Sequence, residues 1–152
     1  MLKRVWDTPT PQKARVTSWR ILRNRLPTCD NLRKRNILVG EEEGWSNACC
    51  NQFESIAHVF LTCPKSEAVW IKMQKWLRVS APHPQNIIAH FDAFTNMGKK
   101  KSCKFLSALW MCVNWMLWKY RNDSRFDDKT WEIQSFIREI RPDFGVGTRF
   151  IA

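Results

Sequence analysis

The chain has 152 residues, 44% of them apolar, and 25 Lys and Arg against 14 Asp and Glu give a formal net charge of +11. That length suits one compact domain with its own core, and the apolar share excludes a disordered chain. Five glycines are too few for a turn-dense β fold, and no G-x-G-x-x-G or G-x-x-x-x-G-K-[ST] loop is present, which leaves a small, helical, basic, non-catalytic module.

In chain order, Thr10-Pro11 reads as a helix start, a hydroxyl cap followed by proline in the first turn. Val16, Trp19, Leu22 and Leu26 then form an apolar stripe at helical period, and Leu26-Pro27 ends the helix. Lys13, Arg20 and Asn24 fall together on another face of it. Thr28 caps a second short helix that carries Leu32 and ends in Arg33-Lys34-Arg35, cations that also suit the negative end of a helix dipole. Residues 38–53 show no helical period. Ser55 caps a short helix through Phe60, and Pro64 opens a longer one to about residue 79, with Val69, Trp70, Met73, Trp76 and Leu77 on one side. Ala81-Pro82-His83-Pro84 is a break. Helices are expected over about 86–96 and 102–122, the second apolar nearly all round and therefore central to the core. Asp127-Asp128 are expected to cap a last helix that runs to about 140 and stops at Arg141-Pro142. The expected fold is all-α, about six helices, with a small Cys/His zinc-knuckle-like insertion between the second and third. Residues 1–80 form one region and residues 81–152 a C-terminal helical region packed on it.

The charge is uneven. Residues 1–38, a quarter of the chain, carry +8, and Glu41-Glu42-Glu43 follow directly. Concentrated cation attracts polyanions through Coulomb forces and counterion release, so nucleic acid is the first candidate partner. A solvated basic surface is the plainer alternative. The longest apolar run, Phe105 to Trp118, falls short of the ~20 residues a bilayer span needs, and the N-terminus lacks a signal-peptide core. Six cysteines without a secretory signal point to reduced thiols, hence nucleus or cytoplasm and no membrane.

Cys49, Cys50, His58 and Cys63 lie within 15 residues. Thiolate and imidazole are the preferred zinc donors, and four of them close a structural site; taken singly, the same residues serve equally as core or surface side chains. Catalysis finds less support. Glu41 to Glu43 are consecutive and diverge, and Phe126-Asp127-Asp128 has no strand–turn–strand around it to hold the metals of a nucleotidyl transferase.

One ordered series of residues carries a family resemblance. Pro11-Gln12-Lys13, Trp19-Arg20, Asn24-Arg25-Leu26-Pro27-Thr28, Asn31-Leu32 and Arg35, then Cys50, Glu54-Ser55, His58, Phe60, Cys63-Pro64 and Val69-Trp70, resemble the reverse transcriptase zinc-binding domain. That domain closes the polyproteins of plant LINE-type (non-LTR) retrotransposons and also occurs as small stand-alone proteins and remnants. Trp115, Trp118, Arg121-Asn122 and Phe126 resemble the segment that follows it, so the likeness spans roughly residues 6–126. It implies a tail module without catalysis, with zinc on Cys49, Cys50, His58 and Cys63. Asn47 stands where the family pattern has its first knuckle thiolate, and Thr17 and Cys29 also depart from the pattern, so the zinc site is expected to be degenerate. The resulting expectation is a retroelement-derived module that binds DNA or RNA non-specifically through Lys13, Arg20, Arg23, Arg25, Arg33, Lys34 and Arg35. Its alternative is a structural or protein-interaction module that packed against other segments of a polyprotein, or a functionless remnant.

Overall fold

A computed structural model of the chain describes residues 1–37, 45–46 and 52–143. It is all-α, as expected, apart from one short ladder. Seven α-helices occur among the described residues: α1 (Leu2–Asp7), α2 (Gln12–Leu22), α3 (Cys29–Lys34), α4 (Pro64–Leu77), α5 (Ile87–Asn96), α6 (Cys103–Phe126) and α7 (Ile133–Asp143). A π turn (His58–Thr62) precedes α4, and a 3₁₀ turn (Lys100–Ser102) leads into α6. Two two-residue strands, β1 (Trp45–Ser46) and β2 (Gln52–Phe53), pair antiparallel with Trp45 opposite Phe53. Sequence periodicity could not find this ladder, because two residues per strand carry no alternation. No helix among the described residues is long and apolar enough to cross a membrane.

The longest helix, α6, is the central element. Leu106, Leu109, Trp110, Val113 and Leu117 are buried along it, α2 and α5 pack against it, and the π turn and α7 complete the surround. Buried side chains from Val5 to Ile140 form one cluster. Two of the buried polar residues of this helix bond to its own backbone: Ser107 donates to the Cys103 carbonyl at 2.6 Å, and Asn114 donates to the Trp110 carbonyl at 2.8 Å. A polar side chain can enter a core this way without losing all its partners.

Several local expectations are corrected. On α2 the buried face is Ala14, Thr17, Ser18, Ile21 and Leu22, while Val16 and Trp19 are only half-buried. Small residues let α2 approach α6 closely, so they are covered although they do not read as apolar. This helix stops at Leu22, with Asn24 in the left-handed region at φ 51°. Leu26 is buried from the loop that follows, not from the helix. Thr10 does not cap it; Pro11 itself takes the extended conformation (ψ 141°) in front of Gln12. Asp127 ends α6 instead of starting α7, which begins at Ile133 and continues through Pro142 to Asp143. Tyr120 joins the two helices by donating to Glu139 at 2.5 Å. Thr28 caps as expected, its Oγ1 accepting from Asn31 N at 3.4 Å; α5 is capped by Asn86, whose Oδ1 accepts from Ile88 N and Ala89 N at 3.0 Å.

Candidate functional site

The π turn follows from Pro64. In an α-helical continuation the Phe60 carbonyl would take its hydrogen bond from residue 64, but proline has no N–H. The chain instead closes a wider turn, in which Cys63 N donates to the His58 carbonyl at 2.9 Å. That leaves two carbonyls to be served from elsewhere, and α4 serves both. Ser66 Oγ donates to Val59 O at 2.6 Å, and the Trp70 indole donates to Phe60 O at 2.8 Å. Cys63 has the extended backbone (ψ 133°) that a residue before proline prefers, and it opens α4. The His-x₄-Cys-Pro spacing is therefore the sequence of a π turn. It places His58 and Cys63, both buried, at the two ends of one backbone hydrogen bond.

These two are the candidate zinc donors among the described residues. Cys49, Cys50 and Asn47 lie outside the described residues, between β1 and β2 in sequence, and no group of three or more His, Cys, Asp or Glu side chains that could hold a metal occurs among the described ones. Imidazole and thiolate fit zinc chemically. They would supply two of the four donors a closed site uses.

Directly before the π turn sits a group that sequence reasoning missed. Glu54, 2% exposed, is the residue after β2. Its carboxylate faces Arg121 of α6 in a two-point clamp: Arg121 Nε donates to Oε2 at 2.8 Å, and the second contact runs from Nη2 to Oε1. Oε1 also accepts from Cys29 N, at the start of α3, at 3.2 Å. Arg125 stands 3.9 Å from Oε2 and donates to the Cys29 sulfur at 3.0 Å. The Glu54 carbonyl accepts from Asp30 N at 3.0 Å. One acidic residue thus joins three segments that are remote in sequence.

Electrostatics follow from this packing. Burial alone would raise the Glu54 pKa, but the hydrogen bonds and charge of Arg121 outweigh it, helped by Cys29 N–H and Arg125, and the carboxyl is held below its ordinary value. Burial, then the neighbouring Glu54 charge, pushes the Cys29 thiol above its ordinary value, so it is a protonated packing group and not a nucleophile. Arg121 gives a signal in the sequence after the fact. It continues the buried stripe of Trp110, Asn114 and Leu117 at helical spacing, and a cation on such a stripe requires a buried acid.

The proposed phosphate contacts all occur on α2, α3 and their ends. Lys13, Arg20, Arg23, Arg25, Lys34 and Arg35 are exposed, and Arg33 is half-buried. They are not all bare charges. Lys34 pairs with Asp30 at 2.8 Å, Arg23 lies over the Trp19 ring at 5.8 Å, and Arg33 lies over the Phe53 ring at 4.8 Å. That last contact rests α3 on the strand pair. Trp6, which is on none of the apolar stripes, is 46% exposed; the Trp45 side chain lies outside what is described.

Compared with known families, residues 1–70 match the model of the family described as zinc-binding in reverse transcriptase. That is an accessory zinc-binding domain, not a catalytic one. The match ends within α4 and includes the strand pair, Glu54 and the π turn. No curated protein and no solved structure matches the chain.

Proposed function

We propose that the chain is a non-catalytic accessory module of retroelement origin, of the plant LINE type, that holds nucleic acid by its backbone through the exposed cations of α2 and α3. The observation that carries this is the exposure of Lys13, Arg20, Arg23, Arg25, Lys34 and Arg35, with Arg33 half-buried beside them, although none of the seven is part of the core. Lysine and arginine on exposed short helices neutralise phosphates. Neither helix presents the polar face that reads base edges in a groove, so binding is indifferent to sequence.

Zinc belongs to the same reading. His58 and Cys63 would hold it from the π turn, with Cys49 and Cys50 from the preceding connection, and it would tie that connection to the helical body. Asn47 in a ligand position makes the affinity low, because a missing thiolate removes part of the binding energy that contributes to folding.

The test is fluorescence anisotropy with duplexes of unrelated sequence at several salt concentrations. Engagement of about five phosphates gives a log–log slope of roughly −4 to −5. Arg33→Ala and Lys34→Ala each reduce that slope by about 1, equally on all sequences. A slope near zero, or binding unaffected by both substitutions, overturns the proposal.

A further inference from the structure

A groove of about 620 Å³ opens between α1 and the start of α6. Its charged lining is Lys3, Arg4, Lys100 and Lys104 against a single carboxylate, Asp7. The three lysines and Asp7 are exposed, and Arg4 is half-buried. The ion pairs among the described residues involve Lys34, Arg121, Arg125 and Lys129 with their acids, and none of the groove's charged groups. Even Lys3 and Asp7, one helical turn apart on α1, form none.

Arg4 differs from the lysines in being fixed. Its Nη1 donates to Thr95 Oγ1 at 2.8 Å and to Asn96 Oδ1 at 3.3 Å, at the end of α5, and its guanidinium lies 6.0 Å from the Phe91 ring centre. Thr95 and Phe91 are wholly buried, so the anchor belongs to the core. These bonds dock α1 on α5, which accounts for one side of Arg4. They use both protons of Nη1 and leave Nε–H and the Nη2 protons without an acceptor among the described residues. None of the buried polar atoms left unpartnered belongs to Arg4, so these donors are open to solvent. Nε and Nη2 form the edge with which a guanidinium holds an oxyanion by two parallel hydrogen bonds. Folding gives no reason to hold that edge open among three unpaired lysines, whose mutual repulsion no acid in the first turn of α6 offsets.

We infer that this groove is a binding site for a phosphate dianion, with Arg4 as a preset fork and Lys3, Lys100 and Lys104 as the surrounding charge. The excess of cations calls for more than one negative charge. A carboxylate has two oxygens and the fork takes both, whereas a phosphate keeps a further oxygen for the lysines. No aromatic ring or branched aliphatic side chain lines the groove, so a base has nothing to stack on and the phosphate itself is what is recognised. Two sources present that group: a free polyphosphate and the terminal phosphate of a nucleic-acid strand. Phosphodiesters inside a strand carry one charge each and are the business of α2 and α3 in the reading above, on which this site does not depend.

Cys103 lines the groove and serves as its reporter. The test follows alkylation of Cys103 by mass spectrometry at constant ionic strength, with tripolyphosphate and with a short single strand bearing either a 5′-phosphate or a 5′-hydroxyl. Slower alkylation is expected with tripolyphosphate, with the phosphorylated strand beyond its hydroxyl twin, or with both; the first alone assigns a free polyphosphate and the second alone a strand end. Arg4→Lys keeps the charge but loses the fork, and is expected to raise the ligand concentration needed for protection about tenfold. Lys100→Gln/Lys104→Gln, at exposed positions, is expected to raise it at least about tenfold, and Asp7→Asn, which removes the opposing carboxylate, to lower it about threefold. Arg33→Ala/Lys34→Ala is expected to leave it unchanged, which separates this site from the α2–α3 face. Absence of protection by tripolyphosphate, together with equal behaviour of the two strands, overturns the inference. So does protection that neither Arg4→Lys nor the lysine variant weakens, or that Arg33→Ala/Lys34→Ala abolishes.

Discussion

Substituting Glu54→Gln removes the charge from the carboxylate that joins β2, α3 and α6 while keeping its size. Glu54 and Arg121 are both almost wholly buried, so the guanidinium would be left without a counter-charge and without water. Breaking one side of such a pair costs about 3–5 kcal/mol. In a domain whose whole stability is about 5–15 kcal/mol, that is a large share, and for this size it corresponds to a fall in Tm of roughly 10 °C. The double variant Glu54→Leu/Arg121→Met removes both charges and fills the space with apolar groups, which is often neutral for buried pairs. Here a deficit of about 1 kcal/mol should remain, because Cys29 N loses the carboxylate that accepts its hydrogen bond at 3.2 Å. Urea unfolding followed by tryptophan fluorescence, on wild type, Glu54→Leu, Arg121→Met and the double variant, measures the four corners of the cycle, with Glu54→Gln read beside them. A Glu54→Gln loss under about 1 kcal/mol, or a double variant in which the single losses simply add, would refute the clamp as an organising element.

His90 is buried beside His83, with ring centres 4.9 Å apart, and accepts the Trp110 indole N–H at 3.1 Å on Nδ1; burial, then the charge of His83, lowers its pKa to about 3. The folded state therefore refuses a proton that the unfolded chain accepts below about 6.5, and stability should fall by about 1.4 kcal/mol per pH unit on acidification from there, a slope that His90→Gln should lose in urea titrations at pH 7 and 5. Glu54 adds a second loss that begins at lower pH and overlaps the acidic end of the first: its pKa is depressed on folding, so its contribution is complete above the ordinary carboxyl value and disappears as pH falls through the folded one. Trp70→Phe should cost about 2 kcal/mol in chemical denaturation, since it leaves the Phe60 carbonyl of the π turn unpaired in the core; a loss equal to that of an ordinary ring trimming would show that the indole N–H is not what completes the turn. Asn47→Cys should tighten zinc binding and raise the Tm in its presence, and equal melting of wild type and variant with zinc and with a chelator would remove zinc from the account.

Sequence alone determined the features that depend on local chemistry. Thr28 and Pro64 mark helix starts because a cap or a missing N–H acts on the next few residues, whatever the rest of the chain does. The apolar circumference of α6 placed it at the centre because a helix with no polar face has no alternative. The excess of positive charge in residues 1–38 is likewise a property of the sequence and appears at the surface of α2 and α3. Only the tertiary structure could decide what depends on distant partners. That the small residues Ala14, Thr17 and Ser18 form the buried face of α2, and not Val16 and Trp19, is settled by how closely α6 approaches. That Glu54 is a buried clamp and not another surface acid is settled by Arg121, 67 residues away. The wide turn from His58 to Cys63 is a joint product of the two levels. Pro64 forbids the α-helical bond, but Ser66 and Trp70 can complete the turn only once α4 folds back against it, because an unpaired carbonyl is tolerated in water and not in a core.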